Sequence, residues 1–258
     1  MQHFFVEPSQ ISGHEIRIVG VDVNHIKNVL RMHTGEVISV SSNGEDNNEY
    51  RCIIQKILED EIVCKLMFVK EDGVELPARI TLFQGLPKAD KMELIIQKAV
   101  ELGVYEIVPV ATRRCVVKLD EKKAASKITR WQAISESAAK QSKRAIIPKI
   151  SNIRTMKEAI EKAKLFHAKA IPYEMAEGMQ DTRQFIDAVK QLVHNQRSQP
   201  ITVGIFIGSE GGFDENEIAA AKTAGITPIS LGKRILRTET AGMTVLSILM
   251  YQLECEDI

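Results

Sequence analysis

The chain has 258 residues, enough for one large domain or two modest ones, with a composition ordinary for a globular protein. Its 34 basic and 34 acidic side chains cancel, which excludes a global polyanion-binding charge and leaves only local ones open. No apolar stretch approaches the roughly 18 residues of a membrane span. The start Met1-Gln2-His3-Phe4-Phe5 has neither the basic residues nor the apolar run of a signal peptide. Four cysteines without a C-x-x-C pair and six scattered histidines give no metal-ligand spacing. The expectation is a cytoplasmic protein with reduced thiols, no metal and no membrane partner.

In chain order, residues 1–70 read as β-rich. Residues 15–18 alternate, 36–40 run into the hairpin signal Asn43-Gly44, and 50–54 and 62–66 are further strands, with one short helix over 23–31. Several short strands in so few residues predict a small barrel, closed by a linker at 71–77. From Arg79 the rhythm becomes strand, helix, strand. Strands are predicted at 80–83, 107–110, 165–171, 201–207 and 229–231. Helices are predicted from Asp90 to Gly103, then over 120–141, from Thr155, over 181–193, from Asp214 to Gly225, and over 240–254. Asp90, Thr155 and Asp214 each precede a glutamate three residues on, a capping-box pattern. Alternating strands and helices predict a mainly parallel sheet covered on both faces.

Two segments in the last quarter carry the chemistry. In Ile205-Phe206-Ile207-Gly208-Ser209-Glu210-Gly211-Gly212-Phe213 an apolar strand runs into a glycine turn. In Leu231-Gly232-Lys233-Arg234-Ile235-Leu236-Arg237-Thr238-Glu239-Thr240-Ala241 a strand end runs into a charged loop and a helix. Strand ends of an open α/β sheet are where ligands bind. Neither G-x-G-x-x-G nor a P-loop is present, so a ligand without phosphates, held by backbone, fits better than ATP or NAD. Arg234, Arg237 and Glu239 among Leu231, Ile235 and Leu236 suit an apolar pocket with a few polar groups.

Together these segments resemble the signature of the SPOUT methyltransferases, in particular the branch that methylates N3 of a uridine in 16S ribosomal RNA. The resemblance extends to Gln97-Lys98-Ala99-Val100-Glu101-Leu102-Gly103, Thr112-Arg113-Arg114-Cys115, Trp131 with residues 136–144, and His25-Ile26-Lys27-Asn28-Val29-Leu30-Arg31-Met32 with Gly35. It therefore spans the chain in order. That branch often has proline at Ser209 and Lys233, serine at Cys115 and glycine at Lys143.

The resemblance implies an α/β fold: a PUA-like β-barrel over 1–73 that binds RNA, then a trefoil-knotted SPOUT-type parallel-sheet methyltransferase domain over 78–258. It implies S-adenosylmethionine as cofactor, held by Ile171, Gly208, Glu210, Gly211, Leu231, Gly232, Ile235, Leu236, Thr240 and Ala241. It implies a homodimer using the last helix, where the run 245–251 fits an interface or a core alike. Arg237 is the expected catalytic donor to the uracil oxygens. Glu239 reads either as its orienting partner or proton acceptor, or as a carboxylate at a helix N-terminus.

Residues 113–149 hold eleven Lys or Arg against three acids, so the neutral total hides a basic stretch. Arg31, Arg113, Arg114, Gln141 and Arg144 are the expected contacts to 16S ribosomal RNA, met within the small subunit. A related enzyme acting on a ribose 2′-hydroxyl, or an RNA-binding factor without catalysis, remains open at this point.

Overall fold

The computed structural model describes residues 1–43, 47–71, 73–176, 178–195 and 199–255. They form two compact units, Met1–Glu75 with Ala139–Ile147, and Leu76–Ala138 with Pro148–Ile258. The second stretch of the first unit was not legible in the sequence, which predicted a continuous C-terminal domain.

The first unit is built on a six-stranded mixed sheet of β1 (His3–Phe5), β2 (Ile11–Ser12), β3 (Glu15–Val19), β4 (Val37–Ser41), β5 (Glu49–Ile57) and β6 (Glu61–Lys70), in the order β1-β4-β5-β6-β3-β2. β1 lies parallel to β4 and the other pairs are antiparallel. Alternation sets the inner face: Ile16 and Ile18 are buried while Arg17 and Val19 between and after them are exposed. Phe4, Ile26, Ile38, Val40, Cys52, Ile54, Ile62 and Cys64 complete this core. The predicted helix at 23–31 is a short α1 (Val21–Asn24) continuing as a π-helical turn (His25–Val29), which carries Ile26 into the core. Gly44 of the expected hairpin turn lies outside the described residues.

The stretch 139–147 belongs to this unit through charge. Arg144 Nε donates to Glu75 Oε1 at 2.8 Å and the Ala145 N–H to the same oxygen at 2.9 Å. Lys140 Nζ donates to Asp22 Oδ1 at 2.9 Å.

The second unit alternates strands and helices, as the sequence predicted: β7 (Ala78–Gly85), α2 (Lys91–Glu101), β8 (Glu106–Ala111), α3 (Glu121–Ser142, its last turn in the first unit), β9 (Lys149–Ile150), β10 (Arg154–Thr155), α4 (Met156–Ala163), β11 (Ala168–Pro172), α5 (Gln180–Asn195), β12 (Ile201–Ile207), α6 (Glu215–Thr223), β13 (Thr227–Ile229) and α7 (Thr238–Glu254). The sheet order is β10-β8-β7-β12-β11-β13 with β9 beside β8, and every pair is parallel. β12 is central, between β7 and β11, and its apolar run is buried on both faces as a parallel strand requires. Phe206 on β12 stacks on Phe83 of β7 at 4.3 Å between ring centroids. Burying one such ring contributes about 1.5–3 kcal/mol.

The capping boxes at Thr155 and Asp214 form with both reciprocal hydrogen bonds. Asp90 does not cap α2 with its side chain: its backbone, at φ −93 and ψ 11, departs from the extended conformation an N-cap needs. Val245, Leu246 and Leu249 of α7 are buried within the unit, whereas Tyr251 is exposed. Among the described residues no helix is long and apolar enough to cross a membrane.

Candidate active site

β11, β12 and β13 run parallel, so their C-terminal ends open on the same side of the sheet. There the chain encloses a cavity of about 450 Å³, lined by Lys91, residues 172–174, 207–213 and 230–238, and Ala241. That size suits a small cofactor.

The turn after β12 is shaped by close backbone packing. A Cβ on Gly85, at the end of β7, would stand 2.5 Å from the Ser209 nitrogen, so the two backbone segments touch only because Gly85 has no side chain. The Gly212 N–H donates to the Ser209 carbonyl at 2.9 Å, and Gly212 takes φ +65, closing a tight turn that an L side chain would strain. The turn after β13 is tied to α5, where Thr182 Oγ1 donates to the Ser230 carbonyl at 2.6 Å.

Polar groups tie the two loops together. Gln84, fully buried at the end of β7, donates through Nε2 to Thr238 Oγ1 at 2.9 Å. Thr238 in turn donates to the Gly208 carbonyl at 2.5 Å. The first residue of α7 is thereby fixed to the glycine turn. Glu210 accepts the Lys88 N–H at 3.1 Å and the Lys91 ammonium at 3.1 Å. Burial opposes the charge on Glu210, yet hydrogen bonds from its own N–H, Lys91 and Lys88, with the Lys91 charge, outweigh it and lower its pKa.

Of the expected cofactor residues, Gly208, Glu210, Gly211, Leu231, Gly232, Ile235, Leu236 and Ala241 come together around this cavity. Ile171 does not line it. Its side chain is fully buried in the core, and the wall begins one residue later at Pro172, because successive strand residues face opposite ways. Thr240 is exposed and also off the wall, one position before Ala241. Ile235 stands at the wall yet is 87 % exposed. Arg237 lines the cavity and is exposed; its carbonyl accepts the Ala241 N–H at 2.8 Å, while its guanidinium has no hydrogen-bond or ion-pair partner among the described residues. Glu239 is off the wall, and its Oε2 lies 3.5 Å from Lys91 Nζ.

Residues 172–174, Ser230 and Lys91 were missed in the sequence, and Thr238 was seen only as part of the segment 231–241. The first two follow apolar strands and were within reach of the strand-end rule. Lys91 carried no local signal, because it reaches the site from α2.

The expected RNA contacts divide. Arg31, Arg113, Arg114 and Gln141 are exposed. Arg114 Nη1 donates to the Gly211 carbonyl at 3.3 Å, which seats it on the back of the glycine turn, and Arg113 stands 3.5 Å from Asp214. Arg144 departs from expectation: it is 3 % exposed and its guanidinium engages Glu75, so it serves the fold of the first unit rather than a surface.

Residues 74–250 match the family described as RNA methyltransferase domain, and 20–67 that described as RNA methyltransferase PUA domain. Ribosomal RNA small subunit methyltransferase E of Bacillus subtilis (strain 168) is 34% identical over 257 residues, 98% of each chain. The chain belongs to this RNA methyltransferase family. The relative of the same name from Mesomycoplasma hyopneumoniae (strain 232) is 33% identical over 96% of this chain and 98% of its own. Among solved structures, ribosomal RNA small subunit methyltransferase E from Neisseria gonorrhoeae, bound to S-adenosyl methionine, is similar with a TM-score of 0.80 and 28% identity over 97% of each chain. A Legionella pneumophila structure with bound SAM is similar with a TM-score of 0.78 and 31% identity over 96% of each chain.

Proposed function

We propose that this chain transfers a methyl group from S-adenosylmethionine to N3 of a uridine in 16S ribosomal RNA of the small subunit. The observation that carries this reading is the junction of the glycine turn and the loop at 231–241 around one cavity, with an Arg237 guanidinium at its wall that has no partner among the described residues.

The residues present fit the cofactor. Backbone without side chains at Gly208, Gly211 and Gly232 leaves room for close approach, and Leu231, Ile235 and Leu236 supply apolar surface for a purine. No phosphate cradle is needed. When bound, S-adenosylmethionine supplies an activated sulfonium methyl. The protein's part is to orient the base and absorb charge. Loss of the N3 proton places negative charge on the flanking carbonyl oxygens, and a guanidinium free of other partners is suited to stabilise it. In this reading Glu239, the second residue of α7 and beside Lys91, orients Arg237 or receives the proton.

The same reading includes RNA contacts from Arg31, Arg113, Arg114 and Gln141, a trefoil knot in the second unit, and a homodimer through α7. The buried Val245, Leu246 and Leu249 assign one face of that helix to its own core and leave the face bearing Tyr251 for a partner.

The test is a methyl-transfer assay on small subunits isolated without modifications, with the modified nucleoside mapped by mass spectrometry. The expected product is N3-methyluridine. A methyl group on a ribose hydroxyl overturns the choice of atom, and no methyl transfer overturns the enzyme reading. Arg237→Ala is expected to lower the single-turnover rate about 100-fold with cofactor saturating, the size seen for one oxyanion-type donor. An unchanged rate removes Arg237 from catalysis, and a Glu239→Gln enzyme with an unchanged pH–rate profile removes Glu239 as proton acceptor.

A further inference from the structure

Lys91 is the first residue of α2, yet it points its charge away from helix stability. A cation in the first turn opposes the helix dipole, at a cost of about 0.3–1 kcal/mol. Its ammonium instead stands between two carboxylates of the cavity region, 3.1 Å from Glu210 Oε1 and 3.5 Å from Glu239 Oε2. All three side chains are partly withdrawn from water, with exposures of 29%, 28% and 17%. Glu239 Oε2 is buried and has no hydrogen-bond partner among the described residues, so the Lys91 charge is what compensates it. Glu210 belongs to the glycine turn and Glu239 to the start of α7, two residues after Arg237. Lys91 also lines the cavity itself.

We propose that Lys91 is a positioning residue of the methyl-transfer site, clamping the glycine turn to the start of α7 so that Arg237 and Glu239 keep their places relative to the cofactor. The proposal rests on the methyl-transfer reading above. Without the ammonium, two carboxylates face each other across the junction, and repulsion opens it.

The experiment compares wild type, Lys91→Met and Lys91→Arg by calorimetric titration with S-adenosylmethionine and by single-turnover methylation of unmodified small subunits. Thermal melts run in parallel. The expected result is a Lys91→Met enzyme with a near-native melt and a single-turnover rate lowered about tenfold at saturating cofactor. Lys91→Arg should restore most of that rate, because a guanidinium bridges two carboxylates. In a Glu239→Gln background the Lys91→Met cost should shrink, since both changes break one interaction. Wild type that takes up no S-adenosylmethionine overturns the underlying reading. Wild type that binds it, with Lys91→Met within twofold of wild type in rate and affinity, overturns the role of Lys91 alone. Additive costs of the two substitutions overturn it as well.

Discussion

Gln84 and Thr238 lie 154 positions apart and are joined by a buried hydrogen bond of 2.9 Å. Through it the end of the interior strand β7 holds the first residue of α7, and Thr238 passes the connection to the Gly208 carbonyl. Replacing Thr238 by valine keeps the shape and removes both the acceptor for Gln84 and the donor for Gly208. The expected loss is about 1–3 kcal/mol of stability, the cost of leaving buried polar groups unpaired. Because the Thr238–Gly208 bond joins the two loops of the cavity, S-adenosylmethionine affinity should also fall, by about tenfold for each 1.4 kcal/mol of coupling lost. Denaturant titration and calorimetry on Thr238→Val check both.

Arg144 separates a structural role from an RNA role. Its guanidinium is 4% exposed against Glu75 at 8%, so removing it leaves a buried carboxylate uncompensated. Arg144→Ala should cost about 3–5 kcal/mol. Arg114→Glu, at an exposed site, should leave stability nearly unchanged and weaken RNA binding with a shallower salt slope. Urea unfolding and RNA titrations at several salt concentrations distinguish the two.

Lys143 ends α3 in a left-handed conformation, φ +57, with the Arg144 N–H reaching back to the Ala139 carbonyl at 3.0 Å. This is a C-cap position that glycine fills without strain. Lys143→Gly should stabilise the protein by up to about 1 kcal/mol, since the left-handed conformation costs an L side chain about 1–2 kcal/mol. The denaturation midpoint reads the change; a lower midpoint would contradict it.

His3 supplies a pH dependence. Burial drives its pKa from 6.5 down to about 4, partly countered by the Glu49 charge, while its ring bonds Ser39 at 2.9 Å. The unfolded chain therefore binds a proton that the folded chain refuses. Stability contributed by the neutral ring is full above pH 6.5 and is lost as pH falls from 6.5 towards 4. His3→Gln should flatten stability across that window, measured by urea midpoints at pH 7 and pH 4.5.

Much of this protein was written locally. The 3.6-residue spacing of Met92, Ile95, Ile96 and Ala99 placed a helix. The reciprocal pairs Thr155 with Glu158 and Asp214 with Glu217 marked two helix starts, and the unbroken apolar run 201–207 announced a buried parallel strand. Such signals are legible because they arise from neighbours in sequence. The glycine turn and the loop at 231–241 were legible as strand-end segments for the same reason. Other features depended on partners far along the chain. Strand β1 pairs parallel with β4 across dozens of residues, and Arg144 left the basic surface because Glu75, 69 positions away, neutralises it in the core. Lys91 entered the site from a helix with no motif of its own. Side-chain chemistry and spacing thus determined which segments form the loops around the cavity. Only tertiary packing decided which charges are buried in pairs, like Arg144 with Glu75, and which stand exposed, like Arg237, because a charge's role depends on the dielectric and the partners that the fold brings to it.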